Sequence, residues 1–279
     1  MIATRRRWLA GTRTGSTVRP ITAGLEVVPS PNDSRDPLVA VRVEELTLRF
    51  PVYGADRSLK KHLARAAVGG ALSNGGRIVT ALQGVSFELQ PGDRLGLVGH
   101  NGSGKTTLLR ALAGAYEPDD GLVAVDGRIA SLLDLSLGID PSATGFDNIR
   151  LRGLIAGLTR REVEERLPEI AEFSGLGQFL EMPLKTYSAG MQARLAFAVA
   201  TSVEADVLLM DEWIAVGDAD FRDQAHRRLQ QLVERAGILV LASHDPMTLR
   251  TYCNKVMRID AGVASPIVEI DGFDALMAA

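Results

Sequence analysis

The run GHNGSGKT, Gly99 to Thr106, brings together three glycines, a lysine and a hydroxyl in a pattern that suits backbone wrapped around phosphate. A glycine-rich turn between a strand and a helix aims successive N–H groups inward, and the helix N-terminus adds partial positive charge where a triphosphate would sit. At Gly99, Gly102 and Gly104 a Cβ would block the approach of backbone to phosphate. Lys105 can reach the β- and γ-phosphates of such a ligand, and the Thr106 hydroxyl is placed to ligate Mg2+. His100, Asn101, Ser103 and Thr107 complete the stretch assigned to nucleotide binding.

Further acids, a hydroxyl and a histidine recur downstream. ADVLLMDE, Ala205 to Glu212, is an apolar strand ending in two acids. Asp211 suits Mg2+ held through water, and Glu212 suits a water that must be oriented or deprotonated; taken alone, a strand running into a solvated turn would read the same way. In TYSAGMQARLAFAVA, Thr186 to Ala200, the residues Ser188, Ala189 and Gly190 open an amphipathic helix. Its N-terminus could take an anion, while Ser188 serves equally as an ordinary N-cap. LASHD, Leu241 to Asp245, closes a buried strand with His244. In a nucleotide site such a histidine can sense a γ-phosphate by hydrogen bonding; elsewhere it is commonly structural. Between the acids and this histidine, Gly217 and Asp218 make a polar turn that can cap a helix starting at Ala219.

These residues need elements to hold them. DRLGLVG supplies the strand before the phosphate loop, and Thr106 to Ala113 the helix after it. Upstream, VAVRVEELTLRF from Val39 to Phe50 alternates as a strand does, and IVTALQGVSFEL forms a second strand before the turn PGD. A basic helical stretch with a glycine-rich connector, Gly69 to Gly76, lies between those two strands. Short β-like pieces near Val123 and Ile129 precede a long helical region from about Gly145 to Ser202. Strand and helix then alternate: DVLLMDE, a polar helix from Ala219 to Arg235, GILVLASH, a helix near Pro246 to Tyr252, and a terminal strand pair in KVMRIDAGVASPIVEI. That order predicts an α/β fold, a parallel sheet with a helical insertion.

At 279 residues the chain can bury a sizeable core. A net charge of −3 argues against a protein whose main task is neutralising nucleic-acid phosphates. The single cysteine, Cys253, has no disulfide or metal-ligand companion and reads as a packed thiol in a reducing compartment. Apolar runs such as Val207 to Met210 fall far short of the roughly 20 residues that span a bilayer. Residues 1–38, rich in turn formers and carrying Arg5, Arg6 and Arg7 without a following apolar segment, are expected to be a solvated, disordered tail on a cytoplasmic protein.

The ordered set GHNGSGKT, YSAGM, VLLMDE, VGD and ASHD resembles the nucleotide-binding domain of ATP-binding cassette proteins over about residues 40–265. The resemblance implies a P-loop NTPase fold with a RecA-like core, an antiparallel β subdomain and an inserted helical subdomain at about 135–202, all within one ATP-binding domain at 39–279. It implies a head-to-tail homodimer enclosing ATP and Mg2+. Ser188 and Gly190 would meet the partner's γ-phosphate, Glu212 would be the catalytic base, His244 the γ-phosphate switch and Asp218 a link across the dimer. Thr106 and Asp211 would hold Mg2+, and an aromatic near the first strand's end, Phe50 or Tyr53, would stack on adenine.

Within that family, FPVYGADRSLKKHL, SLLDLSLGIDPSATGFDNIRLRGLIAGL and DEWIAVGDADF look like the ATPase subunits of polysaccharide exporters, the Wzt-type proteins of O-antigen, teichoic acid and cell-wall galactan export. Asp134 stands near the place where general cassettes carry a Mg2+-contacting glutamine, and Ala189 and Met191 depart from the general signature. The implied partners are a membrane-spanning permease dimer and a lipid-linked polysaccharide, with no nucleic acid, at the cytoplasmic face of the membrane as a peripheral protein. With the chain ending at Ala279, substrate choice is expected to rest with the permease or with upstream assembly enzymes rather than with an appended carbohydrate-binding domain. A nutrient importer ATPase would share the catalytic set; a soluble cassette ATPase acting on ribosomes or DNA would need no permease.

Overall fold

The computed structural model describes residues 5–9, 41–51, 71–73, 78–135, 137–213 and 219–278. They fall into two compact units, one formed by residues up to 93, 97–127 and 255 onward, the other by 94–96 and 128–254.

The first unit contains a five-stranded sheet of β1 (Arg5–Leu9), β2 (Val41–Pro51), β3 (Ala71–Ser73), β4 (Ile78–Leu89) and β6 (Asp120–Asp126), in the order β1-β6-β2-β4-β3. Every pairing is antiparallel. Alternation in β2 and β4 puts Val41, Val43, Leu46, Leu82, Val85 and Leu89 inside, as one covered face requires. Register shifts between Val43 and Leu46 mark a bulge at Glu45, where φ is 46° and the Ser86 hydroxyl both accepts the Glu45 N–H and donates to its carboxylate. Residues 5–9 depart from the expected solvated tail: they run as β1 beside β6, Arg5 opposite Asp126 and Leu9 opposite Leu122. The remainder of that segment lies outside the described residues.

β5 (Arg94–Val98) leads into the phosphate loop and then α1 (Lys105–Leu112), which buries Leu108, Leu109, Ala111 and Leu112. The loop is backed by β10 (Lys255–Asp260) and its turn into β11 (Val263–Ala264), where Gly262 N–H donates to the Ser103 carbonyl oxygen at 2.9 Å. β12 (Val268–Glu269) also pairs with β10, so the terminal strand pair carries one more short strand, followed by α7 (Phe273–Ala278).

In the second unit β7 (Ile129–Ser131), β8 (Val207–Asp211) and β9 (Ile238–Ala242) are parallel, with Leu208 opposite Leu239 and Asp211 opposite Ala242. Residues 207–210 and 238–242 are fully buried, which explains their unbroken apolar run. The long helical region divides into α2 (Gly145–Ile155), α3 (Arg160–Ser174) and α4 (Ala189–Ala200), with two 3-10 segments between the last two. Local chemistry makes the breaks: Thr159 and Glu162 form a reciprocal capping box, and Gly175 ends α3 in a left-handed conformation. These helices share a core of Ile149, Ile170, Leu180, Leu184, Tyr187 and Leu195. α5 (Ala219–Arg235) and α6 (Pro246–Tyr252) complete the unit. Burial pushes the Cys253 thiol up to about 12, in keeping with an inert packed cysteine.

Candidate functional site

In the first unit the loop has the properties of an anion cradle. α1 begins at Gly104 with no side-chain cap and no acid in its first turn, so its N-terminal N–H groups have no competing side-chain carboxylate. Gly99 (φ 147°) and Gly104 (φ 118°) occupy left-handed backbone. A Cβ on Gly99 would strike the Ile259 carbonyl oxygen, and one on Gly104 would come within 2.8 Å of the Ala81 carbonyl oxygen. The loop is thus packed from below and open above, where Asn101 and Gly102 are exposed and Thr106 and Thr107 half-buried.

Lys105 is 8% exposed and its ammonium donates to the carbonyl oxygens of Gly99 at 2.7 Å and His100 at 3.0 Å. Those bonds fold the cation over its own loop, within reach of any anion seated there. Ser103 is fully buried with an unpaired hydroxyl oxygen. His100 has an acceptor beside each ring nitrogen, the Asn101 carbonyl oxygen at 2.8 Å and the Asp260 carboxylate at 3.1 Å, and a neutral ring donates to one of them. Phe50, half-buried at the end of β2, meets Tyr116 edge-on with centroids 5.1 Å apart. Tyr116 was not singled out from the sequence; its signal is an aromatic a few residues past the loop helix, with its hydroxyl accepting from Arg110. Tyr53 lies outside the described residues.

In the second unit Asp211 ends β8 and Glu212 follows it, and His244 follows the end of β9. Parallel register brings the ends of these strands side by side, although 32 residues separate Glu212 from His244. Glu212 Oε1 accepts from His244 Nδ1 at 2.8 Å and from the His244 backbone N–H at 3.2 Å. Glu212 Oε2 accepts from the Ser243 hydroxyl at 3.0 Å. A carboxylate only accepts, so the ring proton of His244 in this contact is on Nδ1. Both side chains face solvent, His244 at 80% exposure and Glu212 at 43%. Ser243 was overlooked in the sequence, where it is an ordinary small residue before the histidine; it is 2% exposed and bridges Glu212 to the Asp245 N–H.

Ser188 caps α4 by accepting the Met191 N–H at 3.2 Å. Ser188, Ala189 and Gly190 are all exposed, and a Cβ on Gly190 would meet only the Ser188 hydroxyl, 3.9 Å away. Packing among the described residues therefore gives no reason for glycine there. Asp134 is exposed and its charge acts on Arg152. Burial holds the Arg152 guanidinium below its ordinary value, and the nearby Asp134 works in the opposite direction. Arg152 also donates to the Leu135 carbonyl oxygen, so one buried arginine of α2 organises this connecting segment. Asp218 lies outside the described residues. Among the described residues no cluster of three or more His, Cys, Asp or Glu side chains makes a ready metal cage. The Thr106 hydroxyl in the first unit and the Asp211 carboxylate in the second are each of the oxygen-donor type that Mg2+ takes, an ion that keeps waters and shares its coordination with phosphate.

A glycine-rich loop between strand and helix, together with a buried strand ending in two acids, defines a phosphate-loop nucleotide-binding protein. A family model described as ABC transporter matches residues 82–215. The chain is 41% identical over 224 residues to the O-antigen export system ATP-binding protein RfbE of Yersinia enterocolitica, covering 79% of this chain and 94% of that one. It is 38% identical over 230 residues to RfbB of Myxococcus xanthus, an O-antigen export ATP-binding protein of which it spans 53%. It is 34% identical over 224 residues to the teichoic acids export ATP-binding protein TagH of Lactococcus lactis, spanning 47%. The fold matches an ATP-binding cassette solved as a dimer bound to ADP and Pi, with a TM-score of 0.59 and 18% identity over 82% of this chain and 98% of that one. The chain belongs to the ATP-binding cassette ATPases of the ABC transporter family, and within it to the group of polysaccharide-export ATP-binding proteins.

Proposed function

We propose that this chain hydrolyses ATP to drive a lipid-linked polysaccharide, of the O-antigen, teichoic acid or cell-wall galactan kind, across the cytoplasmic membrane through a separate permease dimer. The observation that carries the catalytic half of this reading is the Glu212 carboxylate held by Ser243 and His244 at adjacent strand ends. Its export half is supported by relatives named for O-antigen and teichoic acid export. No helix among the described residues is long and apolar enough to cross a membrane; in this reading the chain sits as a peripheral protein on the cytoplasmic face, beside its membrane partner. Residues 39–279 act as one ATP-binding domain with a helical part at about 135–202, and the surface around 135–185 receives the permease.

In the proposed cycle ATP seats on the loop Gly99 to Thr106, and Lys105 exchanges its bonds to the Gly99 and His100 carbonyls for phosphate oxygens. Phe50 supplies the adenine-stacking face. Mg2+ held by Thr106 and Asp211, with Asp134 in the place of the usual glutamine, would neutralise charge on the phosphate oxygens. Glu212 orients the attacking water and accepts its proton, while His244 turns toward the γ-phosphate. Ser188 and Gly190 of a second copy close the site, which accounts for an exposed glycine that no neighbour among the described residues demands, and Asp218 links the two copies.

Co-expression with the membrane protein encoded beside it, reconstitution in lipid and ATPase measurement with candidate undecaprenyl-linked glycans test the proposal. A stable complex stimulated by one such glycan is the expected result. Activity that responds to ribosomes or nucleic acid, with no membrane partner bound, would overturn the export reading and leave the ATPase standing.

A further inference from the structure

Glu212, the residue after β8, has φ 71°, a left-handed conformation that a glutamate keeps only where its surroundings over-determine it. Its N–H is fixed by the Ala242 carbonyl oxygen at 2.8 Å, and its carboxylate by Ser243 and His244. The next residue carries a separate restraint. The Trp213 indole lies face to face on the Tyr252 ring, with centroids 4.1 Å apart and planes 17° from parallel. Its Nε1–H donates to His226 Nδ1 on α5 at 3.4 Å. Gln230, one turn further along α5, donates to the Tyr252 hydroxyl at 3.4 Å.

The indole is therefore held by α5 and by the last residue of α6, one peptide bond from Glu212. The same α6 is connected to the carboxylate at its other end. Ser243 donates to Glu212 and accepts the Asp245 N–H at 3.1 Å, and Asp245 caps α6 by accepting the N–H groups of Met247 and Thr248. Residue 212 is thus referenced twice to one short helix, through Ser243 at its start and through the stacked ring at its end. Releasing the indole would free the peptide after Glu212 and let its φ relax, carrying the carboxylate away from a bound water.

We infer that Trp213, stacked on Tyr252, is a positioning residue for Glu212, acting through the Glu212 backbone rather than on the nucleotide. The inference rests on the reading of Glu212 as the base. Its test compares Trp213→Ala, Trp213→Phe, Tyr252→Ala and the double Ala variant with Glu212→Gln in the full-length chain, by steady-state ATP turnover and by binding of a fluorescent ATP analogue.

Each single Ala variant should lose roughly ten- to a hundredfold in kcat, with KM and nucleotide affinity within about twofold of wild type. The double variant should be no worse than either single one, because both remove the same contact. Trp213→Phe keeps a ring that can stack and should recover most of the rate. The sequence has two tryptophans, so in a Trp8→Phe background Trp213 is the sole indole, and its emission under selective tryptophan excitation should shift when Tyr252→Ala removes the stack. Normal kcat in a folded Trp213→Ala protein, with Glu212→Gln inactive, overturns the positioning role. So does a loss of kcat that is matched by lost nucleotide affinity and not rescued by Trp213→Phe. Full turnover by Glu212→Gln overturns the base reading instead.

Discussion

Replacing Glu212 with Gln separates the chemical role of this side chain from its structural one. The carboxylate accepts three bonds, two on Oε1 from His244 and one on Oε2 from Ser243. A glutamine of the same shape can place its carbonyl oxygen where Oε1 lies and keep both His244 donors. Its NH2 group then faces the Ser243 hydroxyl, which must turn from donor to acceptor. All three bonds lose their charge assistance, at a side chain that is 43% exposed, a stability cost of about 1 kcal/mol after solvent screening. Removing a general base costs roughly 10²- to 10⁴-fold in rate, or about 3–5 kcal/mol of barrier. Because the phosphate loop is untouched, nucleotide affinity should stay within about twofold. Steady-state phosphate release, fluorescent-nucleotide titration and thermal melting on one preparation measure all three quantities. Turnover within about threefold of wild type would refute the assignment. A collapse of melting temperature together with binding would refute the claim that the network tolerates Gln.

Lys105→Ala should weaken both ATP binding and turnover, seen as a raised nucleotide Kd and a lowered kcat, because its ammonium is the side-chain cation folded over the loop. Gly104→Ala should destabilise the fold by about 2 kcal/mol or more in chemical denaturation, since a Cβ there would sit 2.8 Å from the Ala81 carbonyl oxygen on left-handed backbone. Gly190→Ala should not lower the melting temperature of the isolated chain, since Ala favours the helix and its Cβ meets nothing closer than 3.9 Å, yet should reduce ATP-dependent dimerisation measured by light scattering; a lowered melting temperature with normal dimerisation would contradict the exposed-contact reading. Thr159→Ala should lower the melting temperature by removing the α3 cap. The Thr159 N–H and hydroxyl hold Glu162 below the usual carboxylate range, so this contribution is present at neutral pH and lost as pH falls through the lowered value. The gap between wild type and Thr159→Ala in pH-dependent melting should therefore shrink in acid.

The sequence alone determined the elements whose signals are local. The phosphate loop is contiguous, so its glycines, Lys105 and Thr106 were legible together. Runs that are apolar throughout, such as Val207 to Met210 and Ile238 to Ala242, announced buried strands, and the polar spacing of Ala219 to Arg235 gave a helix with the observed ends. Signals that depend on distant partners were not legible in this way. A long helical region was visible between Gly145 and Ser202, but its division follows from cap bonds of Thr159 and the left-handed turn at Gly175. Arg5 to Leu9 looked like solvated tail because nothing local reveals that β6 offers it an edge. Glu212 and His244 could be nominated from type and order; that Ser243 joins them, and that Trp213 lies on Tyr252, was decided by parallel strand register and helix packing across 31 and 39 residues of chain. Hydrophobic periodicity encodes which face of an element is buried, whereas hydrogen bonds and ring stacking depend on which elements come to lie side by side. Only the tertiary structure contains that second kind of information.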